Sequence, residues 1–233
     1  MRFGAGPVLA RWTGRPEGDL GPTEDGGSGA GSPRRPPGPS AAADARRRAL
    51  VDRSWSWVRQ VHGAEVVVVR QPGDGRGARA DALVSDHPDS CLAIFTADCA
   101  PIALSSPEGV LGAVHAGWRG LMEGVVGSAA RAMRALGASR LEAALGPCIH
   151  PECYEFSPQD LAGAEERFGP TVRSVTSEGR PALDLPEAVR VSLGAAGVEL
   201  VADEDICTAC SPAHFSYRAR GERERMALVV WRA

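Results

Sequence analysis

Short apolar strands and amphipathic helices follow one another along this chain without a regular strand–helix–strand period, and this irregular order most constrains the fold. Residues 91–96, 102–104 and 110–114 are apolar runs of strand length. A helical pattern covers residues 121–136, and another apolar run covers residues 141–145. The order predicts an α/β (α+β) layered structure with mixed β-sheets flanked by helices, rather than a Rossmann fold or a barrel.

The whole chain, residues 1–233, is predicted to form one domain. Residues 13–43 are rich in Gly, Pro, Ser and charge, a composition that buries little apolar surface, so they are predicted to form a flexible loop. Further elements are predicted as strands over residues 54–61, 65–69 and 226–231, and as helices over residues 158–168 and 186–196.

Charge and hydropathy narrow the classes of partner. The formal net charge of −3 gives no basic field for nucleic acid or an anionic membrane, so a small polar substrate is expected. No run approaches the roughly 18 apolar residues that span a bilayer, and the N-terminus lacks the apolar core of a secretory signal. We therefore expect a cytoplasmic protein without membrane spans; the sequence predicts no oligomeric state.

Two metal-binding residue types flank a predicted turn. Residues 105–109 (SSPEG) have turn chemistry, and pairing of the flanking strands as a hairpin places Cys99 opposite His115. Opposed side chains share one face of a sheet and lie close enough to bind one metal ion. Pro101 and Asp98 are unusual in a strand, so a bulge or a strand end is expected near Cys99.

His62 completes a Cys/His/His set. It precedes Gly63 between two predicted strands, where a side chain can project from the edge of the scaffold. Three protein ligands leave the fourth zinc position open, which is typical of a catalytic zinc. Spacing alone leaves open that each of the three residues only packs in the core.

One further cysteine motif is the CxxC of Cys207 and Cys210. A zinc ribbon needs a second CxxC, and four residues separate Cys148 from Cys153. The pair is therefore interpreted as packing residues near the site.

Five segments carry motifs that occur together in a known family: QVHGAEV (60–66), TADCAPI (96–102), AVHAGWRG (113–120), ALGPCIHPECYEF (144–156) and CTACSPAHFSYRARGERERMALVVW (207–231). In this order they resemble the YfiH/YlmD family of laccase-domain proteins, also called peptidoglycan editing factors. The resemblance implies that His62, Cys99 and His115 bind zinc and act in catalysis. It also implies purine nucleoside phosphorylase activity with adenosine deaminase side activity, and a fold similar to that of cytotoxic necrotising factor toxins.

The substrates that the resemblance implies are a nucleoside and phosphate, and several residues are candidates to contact them. Arg119 lies just ahead of the predicted helix, where a guanidinium and a helix N-terminus could together hold an anion. Asp98 is a candidate to orient a ligand histidine or contact substrate. Gln60, Ser216 and Arg218 are candidates because they lie within or beside the motifs.

Three alternative functions stay open. Cys99 could be a nucleophile with His115 as its general base, in a hydrolase or amidase that edits UDP-MurNAc-linked peptidoglycan precursors. Copper could replace zinc, as in a polyphenol oxidase, although the chain's five histidines are too few for several copper ions. A metal-stabilised interaction module would need a fourth ligand, for which the candidates are His87, His150 and His214.

Overall fold

The computed structural model describes residues 1–4, 6–22 and 40–233. Strands and helices are interleaved along the described chain, as the irregular order of apolar segments predicts. The strands are β1 (Val8–Trp12), β2 (Trp55–Ser56), β3 (Val66–Val68), β4 (Ala82–Ser85), β5 (Cys91–Thr96), β6 (Ala100–Ser105), β7 (Leu111–Ala116), β8 (Leu141–Leu145), β9 (Arg173–Val175), β10 (Pro181–Leu183), β11 (Val198–Asp203) and β12 (Met226–Arg232). The helices are α1 (Ser40–Leu50), α2 (Trp118–Glu123), α3 (Val125–Ala135), α4 (Pro158–Phe168), α5 (Leu185–Ala195) and α6 (Tyr217–Arg220).

The strands form two main sheets, both of mixed direction. One has six strands in the order β11-β8-β6-β7-β4-β3, and the other has four in the order β1-β12-β5-β2. The inner pairs are antiparallel, whereas β11 with β8, β3 with β4 and β2 with β5 run parallel. Strands β9 and β10 pair separately. The prediction of mixed sheets is confirmed.

Strand β5 shows how the sheets stack. Its side chains alternate, so Leu92 and Ile94 pack between the two sheets while Ala93 and Phe95 face the opposite way. The outer face is covered by Leu20 and by residues at and beyond the end of α1. The far side of the six-stranded sheet packs against α2, α3, α4 and α5. Burial of each large apolar side chain in these layers contributes about 1.5–3 kcal/mol to folding.

Two predicted elements differ from the structure. The helix predicted over residues 121–136 is interrupted at Gly124, whose left-handed φ of 85° ends α2 and begins α3. The strand predicted over residues 54–61 is limited to β2, because the chain turns towards Gly63 and makes only an isolated bridge at Arg59.

The predicted flexible loop at 13–43 is described only at its two ends. Leu20 is fully buried, and Thr13 is 4% exposed. Helix α1 begins at Ser40, inside the predicted loop. The remaining stretch, 23–39, lies outside the described residues. No helix of the described chain is long and apolar enough to cross a membrane.

Candidate metal centre

His62, Cys99 and His115 converge at one end of the six-stranded sheet. They come from the turn before β3, the corner between β5 and β6, and the end of β7, and their potential ligand atoms all lie within 4.8 Å of one another. Cys99 Sγ is 3.9 Å from His62 Nε2, and the two imidazole ring centroids are 4.9 Å apart. The fold therefore brings together the three residues that the sequence singles out.

The register of the β6–β7 hairpin differs from the prediction. His115 pairs with Pro101, so Cys99 lies two residues from the directly opposed position. The reason is Gly109, whose φ of 86° places it in the turn and moves the turn centre along the chain. A shift of two residues keeps the same face of a strand, so Cys99 still lies on the side of His115. The predicted strand end is confirmed, because Asp98, with a φ of 98°, turns the chain just before β6.

Asp81 positions the two histidines by hydrogen bonds. Its fully buried carboxylate accepts hydrogen bonds from the backbone N–H groups of Val61, His62 and Gly63, at 2.7–3.2 Å. His115 Nδ1 lies 2.8 Å from the same carboxylate, which leaves Nε2 for another partner. The carboxylate thus fixes the His62 turn, where φ is 62°, and the orientation of His115.

Asp81 stays ionised and is missing from the sequence-based candidates. Burial would raise the pKa of its carboxyl, but the hydrogen bonds from His115 and from the backbone of Gly63 outweigh burial and lower that pKa. One signal could have revealed it: a carboxylate placed directly before the buried strand β4 is costly unless it is paired.

Cys99 and His115 form a polarised pair. Burial opposes ionisation of the Cys99 thiol, but the two neighbouring histidines lower its pKa to about 6. Burial likewise opposes protonation of His115, yet the Cys99 thiolate and the Asp81 carboxylate raise the pKa of His115 to about 9. Because the thiolate is the form that binds metal, the site is prepared for a cation that displaces the His115 proton.

Gly117 allows the close approach of two of the candidate ligands. A Cβ atom at this position would lie 2.8 Å from His62 Cδ2 and 3.2 Å from Cys99 Sγ. The φ of −74° is accessible to any residue, so space rather than backbone conformation requires glycine here.

Gly117→Ala is therefore expected to weaken metal binding about tenfold or more, since ligand orientation commonly controls affinity on this scale. Competition with a metal-sensitive dye would measure the affinity. Gly194→Ala is the matched control, because a Cβ there meets no heavy atom within 4 Å. Equal affinities of the two variants would show that Gly117 is not needed for the approach.

Within residues 1–4, 6–22 and 40–233, the group contains no fourth His, Cys, Asp or Glu. The three histidines considered as a fourth ligand lie outside it: His87, His150 and His214. Two of them have local partners, since His87 Nδ1 accepts from the Asp89 N–H and His214 Nδ1 lies 2.7 Å from Ser211 Oγ. A Cys/His/His set without a fourth protein ligand fits a metal that leaves one position for substrate or water.

Two predicted substrate contacts already have protein partners. Gln60 makes paired hydrogen bonds of 2.8 Å with the backbone N–H and C=O of Phe95. Ser216 is fully buried, and its hydroxyl accepts from the Ala219 N–H at the start of α6. Both side chains thus position segments of the chain around the site.

Asp98 does not orient a histidine, so that expectation is wrong and Asp81 has the role. The Asp98 carboxylate accepts hydrogen bonds from Thr208 Oγ1 and from the backbone N–H of Arg218, both at 2.7 Å. It thereby holds the segment that carries Arg218 beside Cys99.

Two arginines and three aromatic rings lie next to the metal-binding candidates. The rings of Trp118, Tyr154 and Phe156 contact edge to face, with centroids 5.1–5.2 Å apart. The exposed guanidinium groups of Arg119 and Arg218 lie over Trp118 and Tyr154, at 4.6 and 4.9 Å from the ring centroids. Burial raises the pKa of the Tyr154 hydroxyl and Cys99 raises it further, whereas the two arginines act in the opposite direction. This side of the site combines an apolar surface with positive charge.

This chain is similar to several known proteins in sequence and in fold. Residues 40–233 match the family described as multi-copper polyphenol oxidoreductase laccase. A purine nucleoside phosphorylase of Streptomyces coelicolor is 42% identical over 179 residues, which cover 75% of this chain and 74% of that protein. YlmD from Geobacillus stearothermophilus is 31% identical with a TM-score of 0.72, over 82% of this chain and 80% of that one. YfiH from Bacillus licheniformis, 24% identical, has the same fold, with a TM-score of 0.74 over 83% and 82% of the two chains.

Proposed function

This chain belongs to the multi-copper polyphenol oxidoreductase laccase family, and we propose that it is a zinc-dependent purine nucleoside phosphorylase with adenosine deaminase side activity. The observation that carries the proposal is the convergence of His62, Cys99 and His115 without a fourth protein ligand in the described chain. The substrate class follows from relatives at 34–42% identity that are named purine nucleoside phosphorylases. The chain's five histidines are too few for the several copper ions in the family's description.

The donor atoms fit zinc. Bound by His62, Cys99 and His115, zinc would supply a Lewis-acidic positive charge beside the substrate. Asp81 holds His115 by Nδ1 and fixes the backbone of His62, so the ligand orientation is set before substrate arrives.

The two arginines suit the phosphate substrate. In phosphorolysis a phosphate oxygen forms a bond to C1′ of the ribose, the bond from C1′ to the purine nitrogen breaks, and the purine leaves with the electron pair and takes up a proton. Arg119 and Arg218 offer exposed guanidinium groups that can hold phosphate by charge-assisted hydrogen bonds. The rings of Trp118, Tyr154 and Phe156 supply apolar surface for the nucleoside.

Product analysis tests the proposal directly. Zinc-loaded protein incubated with adenosine and phosphate is expected to yield adenine and ribose 1-phosphate, and omission of phosphate should stop their formation. Deamination exchanges the C6 amino group for an oxygen from water and releases ammonia, so inosine should form with or without phosphate. Mass spectrometry distinguishes these products. Zinc-loaded protein that forms none of them would overturn the proposal, and copper-dependent turnover would overturn the choice of metal.

Arg119→Ala is expected to raise the KM for phosphate roughly tenfold, the loss of one hydrogen bond to a charged group. The KM for adenosine should change little, because the guanidinium faces the anion. Steady-state kinetics with each substrate varied in turn measure the two KM values. Arg131→Ala provides the control, since Arg131 is an exposed arginine on α3 that contacts Ser128. An unchanged phosphate KM in Arg119→Ala would contradict the role.

A second candidate function is a Cys–His hydrolase or amidase, favoured by the low pKa of Cys99 beside His115. The thiolate is the reactive form, so in metal-free protein the rate of Cys99 alkylation should fall as the pH drops through about 6. Peptide mass spectrometry after timed iodoacetamide treatment gives this profile. The hydrolase becomes the better assignment only if metal-free protein hydrolyses a muropeptide precursor and alkylation stops that turnover.

A further inference from the structure

A second group of metal-binding side chains lies outside the site described above. It consists of Glu152, Cys153, Cys207 and Cys210, whose potential ligand atoms all lie within 4.8 Å of one another. Cys153 Sγ is 3.4 Å from Cys210 Sγ, and Cys210 Sγ is 3.5 Å from Glu152 Oε1. Zinc–sulfur bonds of about 2.3 Å separate neighbouring tetrahedral ligands by about 3.8 Å, so the cluster has the dimensions of one coordination shell.

The backbone around Cys207 is shaped to hold a thiolate. The His150 N–H donates to Cys207 Sγ at 3.4 Å. A donor on the sulfur stabilises negative charge there. The interpretation of the CxxC as packing residues missed this arrangement, because the other two members, Glu152 and Cys153, come from a different motif.

A soft divalent cation suits this donor set, because three of the four donors are sulfur atoms. On binding, the thiols become thiolate ligands and release their protons.

We propose that Glu152, Cys153, Cys207 and Cys210 form a second, structural metal site that binds a thiophilic divalent cation of the zinc class. Three thiolates and one carboxylate complete a tetrahedral shell, and four protein ligands leave no position for substrate. The site thus differs in kind from the open set of His62, Cys99 and His115.

The second site adjoins two chain segments that line the first site. Cys153 immediately precedes Tyr154, and Cys207 immediately precedes Thr208, whose hydroxyl bonds the Asp98 carboxylate beside Cys99. One ion would therefore link the segment that carries Tyr154 and Phe156 to the segment that carries Arg218. We expect the cation to stabilise the walls of the first site without touching substrate.

Counting zinc per chain tests the second site separately from the first. Full-length protein, kept reduced, loaded with zinc and freed of excess, is expected to hold two ions by native mass spectrometry. Cys210→Ser and His115→Ala should each hold one, because each removes one site. Cys91→Ala should hold two, since Cys91 lies in β5 outside both groups. If the first site binds no zinc but the second site does, wild type holds one ion and Cys210→Ser holds none.

Cobalt substitution gives a readout besides metal count. Cobalt bound by three thiolates has stronger thiolate-to-metal charge-transfer absorption than cobalt bound by one, so His115→Ala should keep most of the wild-type near-ultraviolet band and Cys210→Ser should lose most of it. Because Cys210 is exposed, its replacement should not prevent folding, and Glu152→Gln is a second, milder variant. Equal zinc content in wild type and Cys210→Ser would overturn the proposal. So would a Cys153–Cys210 disulfide, detected as a mass deficit of two hydrogens, that persists in protein kept under reducing conditions.

Discussion

His115→Ala should lower kcat/KM for adenosine phosphorolysis by roughly a hundredfold to a thousandfold, which is the scale for loss of one preorganised electrostatic group in an active site. His115 is 3% exposed, and Asp81 fixes its ring, so the ligand that the substitution removes is preorganised. The zinc content of the first site should fall in parallel. Initial rates at saturating phosphate and metal analysis of the same sample measure both effects.

His87→Ala is the control for this variant, because it removes another histidine whose ring accepts a local hydrogen bond from the Asp89 backbone. It should retain wild-type kcat/KM and zinc content. Wild-type activity in His115→Ala would remove the metal centre from the proposed mechanism, however well the relatives match.

The metal candidates could be predicted from the sequence because each lies in a local motif. Cys99 follows a strand, His115 lies near the end of another, and the turn between them is short. Such a hairpin determines on which face both residues lie even when its register is wrong by two, since strand periodicity is two. Turn chemistry at Gly109 decides the register, and several turns are compatible with that stretch of sequence.

Asp81 could not be predicted in the same way because its partners are nonlocal. Strand β4 pairs with β7 across an interval that contains β5 and β6, and only this pairing brings Asp81 to His115. The roles of Gln60 and Asp98 depend likewise on distant backbone, at Phe95 and Arg218. A motif shows that such polar residues matter, but the fold determines whether they contact substrate or the chain itself.

Asp81→Ala is expected to lower the free energy of unfolding by about 3–5 kcal/mol, the usual result of removing one partner from a buried charged pair. The substitution removes the fully buried carboxylate that accepts from three backbone N–H groups and leaves buried His115 Nδ1 without its partner. For a chain of this length each kcal/mol corresponds to roughly 2–4 °C in Tm. Urea unfolding followed by far-ultraviolet circular dichroism measures the loss.

Asp81→Asn removes the negative charge of the side chain while keeping nearly the same shape. It keeps one acceptor oxygen but points an amide donor at other donors, so we expect a smaller loss of stability together with a loss of zinc affinity of about 10–100-fold. The folded-state pKa of Asp81 is lowered, so its carboxylate stabilises the fold above the unfolded-state pKa near 4, and this contribution disappears as the pH falls through the folded-state value. The stability difference from wild type should therefore be largest near neutral pH and shrink in acid.

Asp74→Asn is the matched control, since Asp74 is exposed and accepts a local hydrogen bond from the Gln71 N–H. Its unfolding free energy and zinc affinity should stay close to wild type across the same pH range. If Asp81→Asn behaves like Asp74→Asn, the buried carboxylate does not orient the ligands. If Asp81→Asn instead loses zinc while remaining folded at neutral pH, the carboxylate acts on the metal centre through the His62 turn and the His115 ring.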